Sequence, residues 1–131
     1  MPLCERFGVL ALYLFGSRAD DGLRRLHGDD VSAEGSDLDV AVLFADPRSD
    51  VRRLAQLQVA LEDAFAPLRV DVVPLDRVDA LFRFSAIDGH RVAVTNATRA
   101  DRYELDVMRE AANLLRIQRW IEQETFGVTS T

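Results

Sequence analysis

Apolar and polar positions come in blocks along the chain, with short apolar runs separated by polar stretches that contain glycine, proline or aspartate. Four of the apolar runs are rich in valine, leucine and aromatic residues, which predicts β-strands. The predicted strands are Val9–Phe15, Leu38–Phe44, Leu68–Leu75 and Arg91–Thr95. Pro74 cannot donate a backbone hydrogen bond and would interrupt the third strand, and the fourth strand is expected at an edge of the sheet.

Apolar residues that recur every three or four positions predict helices between and after these strands. The predicted helices cover residues 18–26, 50–65, 78–87 and 98–124. Ser49 is expected to cap the second helix, with Asp50 in its first turn. Residues 28–35 are polar and bounded by glycines, which predicts a loop. Residues 1–8 leave almost no room for a further helix.

Two of the helices carry a continuous apolar stripe. The stripe of the second helix is expected to be buried and consists of Leu54, Leu57, Leu61, Ala64 and Phe65. The stripe of the last helix consists of Leu105, Met108, Ala112 and Leu115, and is extended by Trp120 and Ile121. Helix amphipathicity favours core packing of this second stripe over an interface with a partner.

Together these elements predict an α+β (α/β) fold, with a small mixed β-sheet of about four strands flanked by helices and a long C-terminal helix. The 131 residues are expected to form one domain, residues 1–131, with its core at residues 9–96. Cys4 is the only cysteine, so no internal disulfide is possible and a cytoplasmic location is expected. No apolar run is long enough to cross a bilayer, so we expect no membrane contact.

The formal net charge of −6 disfavours a broad nucleic-acid-binding surface, because such a surface needs a cationic footprint. The charge suits contact with a basic partner. All sixteen basic residues other than histidine are arginines. A phosphate bound through side-chain charge must therefore be bound by guanidinium groups, whose planar fork favours bidentate contacts.

Three carboxylates stand at unusual positions relative to the predicted strands. Side chains alternate across a strand, so Asp37 and Asp39 project to one face while Leu38 projects to the other. Two such carboxylates repel each other unless a cation lies between them, and Mg²⁺ is the natural candidate. A solvated strand end is an equally good interpretation of this pair taken alone.

Asp71 lies at the centre of the apolar run "RVDVV", where an unpaired charge is costly. If the third strand lies beside the second, Asp71 points into the same region as Asp37 and Asp39. Three carboxylates from two strands would suit two metal ions and phosphoryl or nucleotidyl transfer. Alternatively, Asp71 faces solvent or pairs with Arg69 or Arg91.

Gly16 and Ser17 follow the first strand and precede a predicted helix. Backbone N–H groups, a hydroxyl and a helix N-terminus at such a junction can bind a phosphate. Gly-Ser after a strand is, by itself, more often a simple turn.

The combination of these features resembles a known family. The segments "LYLFGSRA", "GSDLDVAVLF" and "VDVVPLD" are similar to the DNA-polymerase-β-like nucleotidyltransferase superfamily, with a resemblance that covers residues 9–96. At this length the chain most resembles the minimal nucleotidyltransferases, which are the antitoxins of HEPN/MNT toxin–antitoxin pairs.

The resemblance implies nucleotide binding by Gly16, Ser17, Arg18 and Ser36. Gly16 and Ser17 would hold the triphosphate of ATP, and Arg18 is the candidate for contact with the outer phosphates. Arg18 could equally be a solvated arginine in the first turn of a helix.

The resemblance also implies catalysis by the carboxylates. Asp37 and Asp39 would bind two Mg²⁺ ions, and Asp71 would complete one metal site and help to activate the acceptor hydroxyl. The implied reaction is transfer of AMP from ATP to a tyrosine hydroxyl of a cognate HEPN ribonuclease toxin. One alternative is an antitoxin that only binds and masks the toxin, and another is a small-molecule (antibiotic) nucleotidyltransferase.

The sequence departs from the family pattern between Ser17 and Asp37. Residues 18–36 separate the two motifs, which is longer than is usual in the family. The additional segment carries Asp29, Asp30 and Glu34, which we expect to be solvated loop charges.

Overall fold

The computed structural model of the chain describes residues 1–46 and 51–126. Its elements, in chain order, are α1 (Pro2–Phe7), β1 (Val9–Phe15), α2 (Ala19–Leu26), β2 (Leu38–Phe44), α3 (Val51–Phe65), β3 (Val70–Pro74), α4 (Ala80–Ile87), β4 (His90–Val94) and α5 (Ala97–Phe126). A short 3₁₀ turn, Leu75–Arg77, joins β3 to α4. The predicted cap of α3 by Ser49, with Asp50 in its first turn, lies outside the described residues.

The four strands form one mixed sheet in the order β3-β2-β1-β4. β1 pairs antiparallel with β2 and β4, whereas β2 and β3 are parallel. Parallel neighbours need a crossover connection, and α3 lies in the segment that connects these two strands. The mixed four-stranded sheet confirms the predicted fold class, and β4 lies at an edge of the sheet as predicted.

Helices cover both faces of the sheet because successive strand residues point to opposite sides. Leu12 and Leu14 of β1 belong to the core under α1, α2 and α3, where Leu57, Leu61 and Phe65 of α3 are fully buried. Ala11, Tyr13 and Phe15 belong to the second core, with residues of α4 and α5. The predicted buried stripe of α3 is therefore confirmed.

The prediction of almost no room for an N-terminal helix is wrong. α1 spans six residues and buries Cys4 and Phe7. Pro2 opens the helix, where its missing N–H costs nothing, and Gly8 ends it with a left-handed φ of 67°.

The predicted core stripe of α5 is also wrong. Ala100, Val107 and Ala111 are the buried residues of this helix, whereas Leu105, Met108 and Leu115 are 44–47% exposed. Ala112 is exposed as well, and so is every residue from there to Thr125. Small side chains face the domain because they let the helix approach the sheet and α4 closely. None of the described helices is both long and apolar enough to span a membrane.

Candidate functional site

The parallel pairing of β2 and β3 brings two of the predicted carboxylates together. Asp39 and Asp71 are register partners in the two strands. Asp39 is also the partner of Phe15, the last residue of β1, so the end of β1 adjoins the same position. The condition under which Asp71 would approach Asp39, namely that the third strand lies beside the second, is therefore met.

Gly16 lies directly against Asp39. Its φ is 77°, a conformation that L side chains rarely adopt, and a Cβ at this position would overlap Oδ2 of Asp39. Only glycine allows the backbone to pass so close to the carboxylate. The first residue of the Gly-Ser motif and the second residue of the Asp-x-Asp motif therefore share one site.

The electrostatics of this site favour a cation. Burial raises the pKa of Asp39, and the negative charges of Asp71 and Asp37 raise that pKa further. The carboxylate of Asp71 forms no hydrogen bond or ion pair with any described residue, and Arg91 instead binds Asp101 and Glu104 at 2.7 Å. The alternative of an Asp71–Arg69 or Asp71–Arg91 pair therefore has no support within residues 1–46 and 51–126. A positive charge between the carboxylates would relieve their repulsion.

The carboxylate oxygens of this site are suitable ligands for a divalent metal. Carboxylate oxygens are the ligands that Mg²⁺ prefers, and Asp37, Asp39 and Asp71 supply them at one edge of the sheet. Within the described residues, no group of three acidic, histidine or cysteine side chains forms a ready-made metal site. Mg²⁺ usually takes one or two carboxylates and completes its shell with water and substrate phosphates. The donor set fits that use, and the metal-ligand roles of the three aspartates stay a prediction.

The loop that follows β1 places two hydroxyl groups next to each other. Oγ of Ser17 lies 3.0 Å from Oγ of Ser36, and both residues are exposed. Ser36 directly precedes Asp37, so the hydroxyl pair adjoins the carboxylates. These exposed hydroxyls can donate to phosphate oxygens of a ligand. The structure thus brings together Gly16, Ser17 and Ser36, for which nucleotide binding stays a prediction.

Arg18 has a different environment from the one expected. Its side chain is buried, and its guanidinium donates to the backbone carbonyls of Ser32, Glu34 and Ser36 at 2.6–3.1 Å. Nε also donates to Asp21 at 2.8 Å. Arg18 is therefore not a solvated first-turn arginine, since it fastens the inserted loop to the start of α2. Most of its N–H donors are used inside the protein, which leaves little capacity for the predicted phosphate contact.

The inserted loop places its acidic residues in solvent, as expected. Asp29, Asp30 and Glu34 are all exposed, and Asp29 lies 3.8 Å from Arg24. Sequence reasoning did not assign Arg69 to the site, although this exposed arginine lines a pocket with Ser36 and Asp37. The available signal was its position two residues before Asp71, at the same end of β3.

Residues 2–99 match the family described as polymerase beta, nucleotidyltransferase. The chain belongs to this nucleotidyltransferase family. The match confirms the superfamily that the Gly-Ser, Asp-x-Asp and Asp motifs predict, and the fold described above is the nucleotidyltransferase fold. The comparison with curated proteins found no match.

Solved structures show the same nucleotidyltransferase fold. A chain in a mutant of the toxin–antitoxin complex MntA-HpeT is 19% identical, with a TM-score of 0.66, and the match covers 95% of this chain and 93% of that chain. A chain of a toxin–antitoxin structure with AMP-PNP is 20% identical, with a TM-score of 0.63 and coverages of 95% and 94%. A chain in the complex of the tri-AMPylated Shewanella oneidensis HEPN toxin with MNT antitoxin is 18% identical, with a TM-score of 0.59 and coverages of 91% and 84%.

Proposed function

We propose that this nucleotidyltransferase is a cytoplasmic antitoxin that transfers AMP from ATP to a tyrosine hydroxyl of a cognate HEPN toxin and thereby neutralises it. The observation that carries the proposal is that Gly16 lies directly against Asp39, which is itself the register partner of Asp71. The similarity to toxin–antitoxin structures, one with an AMPylated toxin and one with AMP-PNP, supports the choice of partner and nucleotide.

In the proposed reaction, the tyrosine oxygen attacks the α-phosphorus of ATP. A bond forms between this oxygen and the α-phosphorus, the bond from that phosphorus to the oxygen that bridges it to the β-phosphorus breaks, pyrophosphate leaves, and the hydroxyl proton passes to solvent. The backbone at Gly16 and the hydroxyl of Ser17 bind phosphate oxygens and hold the triphosphate in line for displacement. Asp37 and Asp39 would hold the divalent metal that offsets the charge of the phosphates, and Asp71 would orient the acceptor hydroxyl.

A divalent metal bound by Asp37, Asp39 and Asp71 would lower the pKa of the attacking hydroxyl and offset charge on the triphosphate. A free tyrosine has a pKa near 10, so little of it is ionised at neutral pH without such help. The AMP group adds bulk and negative charge to the toxin, and both disfavour binding of RNA to the modified surface.

The test is to incubate the protein with its cognate toxin, ATP and Mg²⁺ and to measure the intact mass of the toxin. The proposal predicts a gain of whole AMP units with the wild-type protein and with Asp30→Asn, an exposed loop variant. The same mass gain is expected to be absent with Asp39→Asn. Full transfer by Asp39→Asn would contradict the proposed mechanism.

Neutralisation by binding alone is the second candidate, and α5 favours it. Residues 112–125 are exposed and carry large apolar side chains, namely Leu114, Leu115, Ile117, Trp120 and Ile121. A helix with this much unpacked apolar surface suits a protein partner. If Asp37→Asn/Asp39→Asn still rescues cells from the toxin and still forms the complex, masking is sufficient and AMP transfer is not required.

A further inference from the structure

The inserted loop and the start of β3 enclose a pocket of about 320 Å³. Its lining residues are Ala33, Glu34, Gly35, Ser36, Asp37 and Arg69. Arg69 is the only cation in this lining, and its guanidinium makes no hydrogen bond or ion pair with any described residue. Its backbone is nevertheless fixed, because its carbonyl oxygen accepts a hydrogen bond from the N–H of Leu38 at 2.8 Å. The backbone of Arg69 is therefore held at the rim of the pocket, and its exposed guanidinium is accessible to a ligand.

The pocket adjoins the phosphate-binding groups of the proposed active site. Ser36 lines it, and Oγ of Ser36 lies 3.0 Å from Oγ of Ser17. Asp37 lines it as well and precedes β2 by one residue. A chain of phosphates anchored at Gly16 and Ser17 can therefore continue into this pocket.

Hydrogen bonds from Arg18 hold in place the loop residues that line the pocket. Arg18 donates to the carbonyl oxygens of Glu34 and Ser36, which bracket Gly35, and to that of Ser32. Arg18 thus shapes the pocket, while the guanidinium of Arg69 has no partner among residues 1–46 and 51–126. This division of roles differs from the sequence-based expectation, in which Arg18 contacts the outer phosphates.

We infer that Arg69 binds the β- and γ-phosphates of the nucleotide, so that the pocket receives the pyrophosphate end of ATP. The inference rests on the proposed use of ATP. Glu34 and Asp37 would repel phosphate oxygens in this pocket, and Arg69 supplies the opposing charge that the protein itself contributes. A guanidinium matches such a ligand because two parallel N–H groups can bind two phosphate oxygens. The guanidinium of Arg69 and the hydroxyl of Ser36 suit the pyrophosphate better than the adenine ring.

The experiment measures dissociation constants of ATP, pyrophosphate and AMP in the presence of Mg²⁺ by isothermal titration calorimetry. The variants are Arg69→Ala, Arg69→Lys and Arg77→Ala, the last an exposed arginine in the turn after the opposite end of β3. Loss of charge-assisted hydrogen bonds in Arg69→Ala is expected to weaken ATP and pyrophosphate binding roughly tenfold or more. AMP binding should not change, Arg69→Lys should recover part of the loss, and Arg77→Ala should resemble the wild type.

Three results would overturn the inference. If the wild type binds ATP and Arg69→Ala binds it equally well, Arg69 does not contact the nucleotide, and the proposed function is unaffected. If Arg69→Ala weakens AMP as much as ATP, Arg69 contacts the α-phosphate or nucleoside end instead. If the wild type binds no ATP, the inference and the proposed AMP transfer both fail. Thermal unfolding establishes that each variant is folded, as expected because the substituted side chains are exposed.

Discussion

The carboxylate of Asp39 leaves no room for a side chain at Gly16, since a Cβ on Gly16 would overlap Oδ2 of Asp39. Gly16→Ala therefore combines two costs: a side chain at a left-handed φ of 77° and displacement of the carboxylate. We expect a loss of about 2–3 kcal/mol in the free energy of unfolding, measured by urea denaturation. ATP binding should be lost as well, because the displaced carboxylate and the altered backbone both belong to the proposed site.

Gly28→Ala is the matched control for this prediction. Gly28 has a φ of 91°, and a Cβ there would meet no atom within 4 Å. Gly28→Ala should lower the free energy of unfolding by about 1 kcal/mol, which is the cost of the backbone conformation alone. In an Asp39→Ala background, Gly16→Ala should cost no more than Gly28→Ala does. If Gly16→Ala and Gly28→Ala lower the free energy of unfolding equally in the wild-type background, overlap with Asp39 does not contribute to the effect of Gly16→Ala.

Asp39 should make the metal-free protein less stable as the pH rises. Burial and the charges of Asp71 and Asp37 raise its folded-state pKa above the ordinary value of 3.8. Ionisation is therefore easier in the unfolded chain, so stability that is present below pH 3.8 is lost as the pH rises through the folded-state pKa. Asp39→Asn removes this loss and should stabilise the protein at neutral pH. Because Asp39 is only partly buried, solvent screening keeps the expected gain below about 1 kcal/mol.

The measurement is urea denaturation of the wild type, Asp39→Asn and the exposed loop variant Asp30→Asn in metal-free buffer. The advantage of Asp39→Asn should shrink as the pH falls below 3.8, where the wild-type carboxyl is protonated in both states. Asp30→Asn should follow the wild type. An advantage of Asp39→Asn that is the same at acidic and neutral pH would contradict the electrostatic explanation.

Local sequence patterns were sufficient to predict the strands that build the site. Of the two central strands, β1 is buried at every position and is a continuous apolar run, and β2 is an apolar run interrupted only by Asp39. The place of Asp39 followed from side-chain alternation in β2, and its proximity to Asp71 followed once β3 was placed beside β2. These predictions depended on short-range periodicity and on one assumption about strand order.

Other features depended on contacts that periodicity does not encode. The apolar residues of α5 form more than one stripe, and the angle at which the helix crosses the domain decides that Val107 and Ala111 are buried while Leu115 is exposed. The partners of Arg18 are loop carbonyls 14–18 positions away, which no local pattern identifies. α1, in contrast, had local signals in Pro2 and Gly8 that could have predicted it.

The two faces of α5 should respond differently to truncation. Val107 is 3% exposed and Leu115 is 47% exposed. Val107→Ala should cost about 1–2 kcal/mol of unfolding free energy, because it leaves a cavity in the core. Leu115→Ala should change this free energy by less than about 0.5 kcal/mol although it removes more apolar atoms. Chemical denaturation of the isolated protein tests both values.

The same pair of variants tests the role of α5 in complex formation. If the exposed surface of α5 contacts the toxin, Leu115→Ala should weaken the complex while leaving the isolated protein stable. Val107→Ala should affect stability more than binding. A destabilisation by Leu115→Ala as large as that by Val107→Ala would mean that Leu115 packs within the domain.

Arg18 should control the order of the inserted loop. Arg18→Ala removes the donors to Ser32, Glu34 and Ser36 and leaves those carbonyl groups to be solvated by water. Loss of several hydrogen bonds to a buried charged group should cost about 2–3 kcal/mol of unfolding free energy. Hydrogen exchange should become faster across residues 29–37 in particular, because the loop is no longer fastened to α2. ATP binding should weaken in parallel, since Ser36 and the pocket wall lose their fixed positions.

Arg24→Ala is the matched control, because Arg24 lies in α2, for which Arg18 is the N-cap residue. Arg24 contacts Asp21 and Asp29 only at 3.7–3.8 Å, and its side chain is 58% exposed. Such a surface ion pair contributes at most about 1 kcal/mol, so Arg24→Ala should leave both loop exchange and ATP binding close to the wild-type values. If Arg18→Ala weakens ATP binding while the exchange rates of residues 29–37 stay unchanged, Arg18 acts on the nucleotide directly. That result would restore the sequence-based expectation of a phosphate contact and would remove the positioning role argued from its hydrogen bonds.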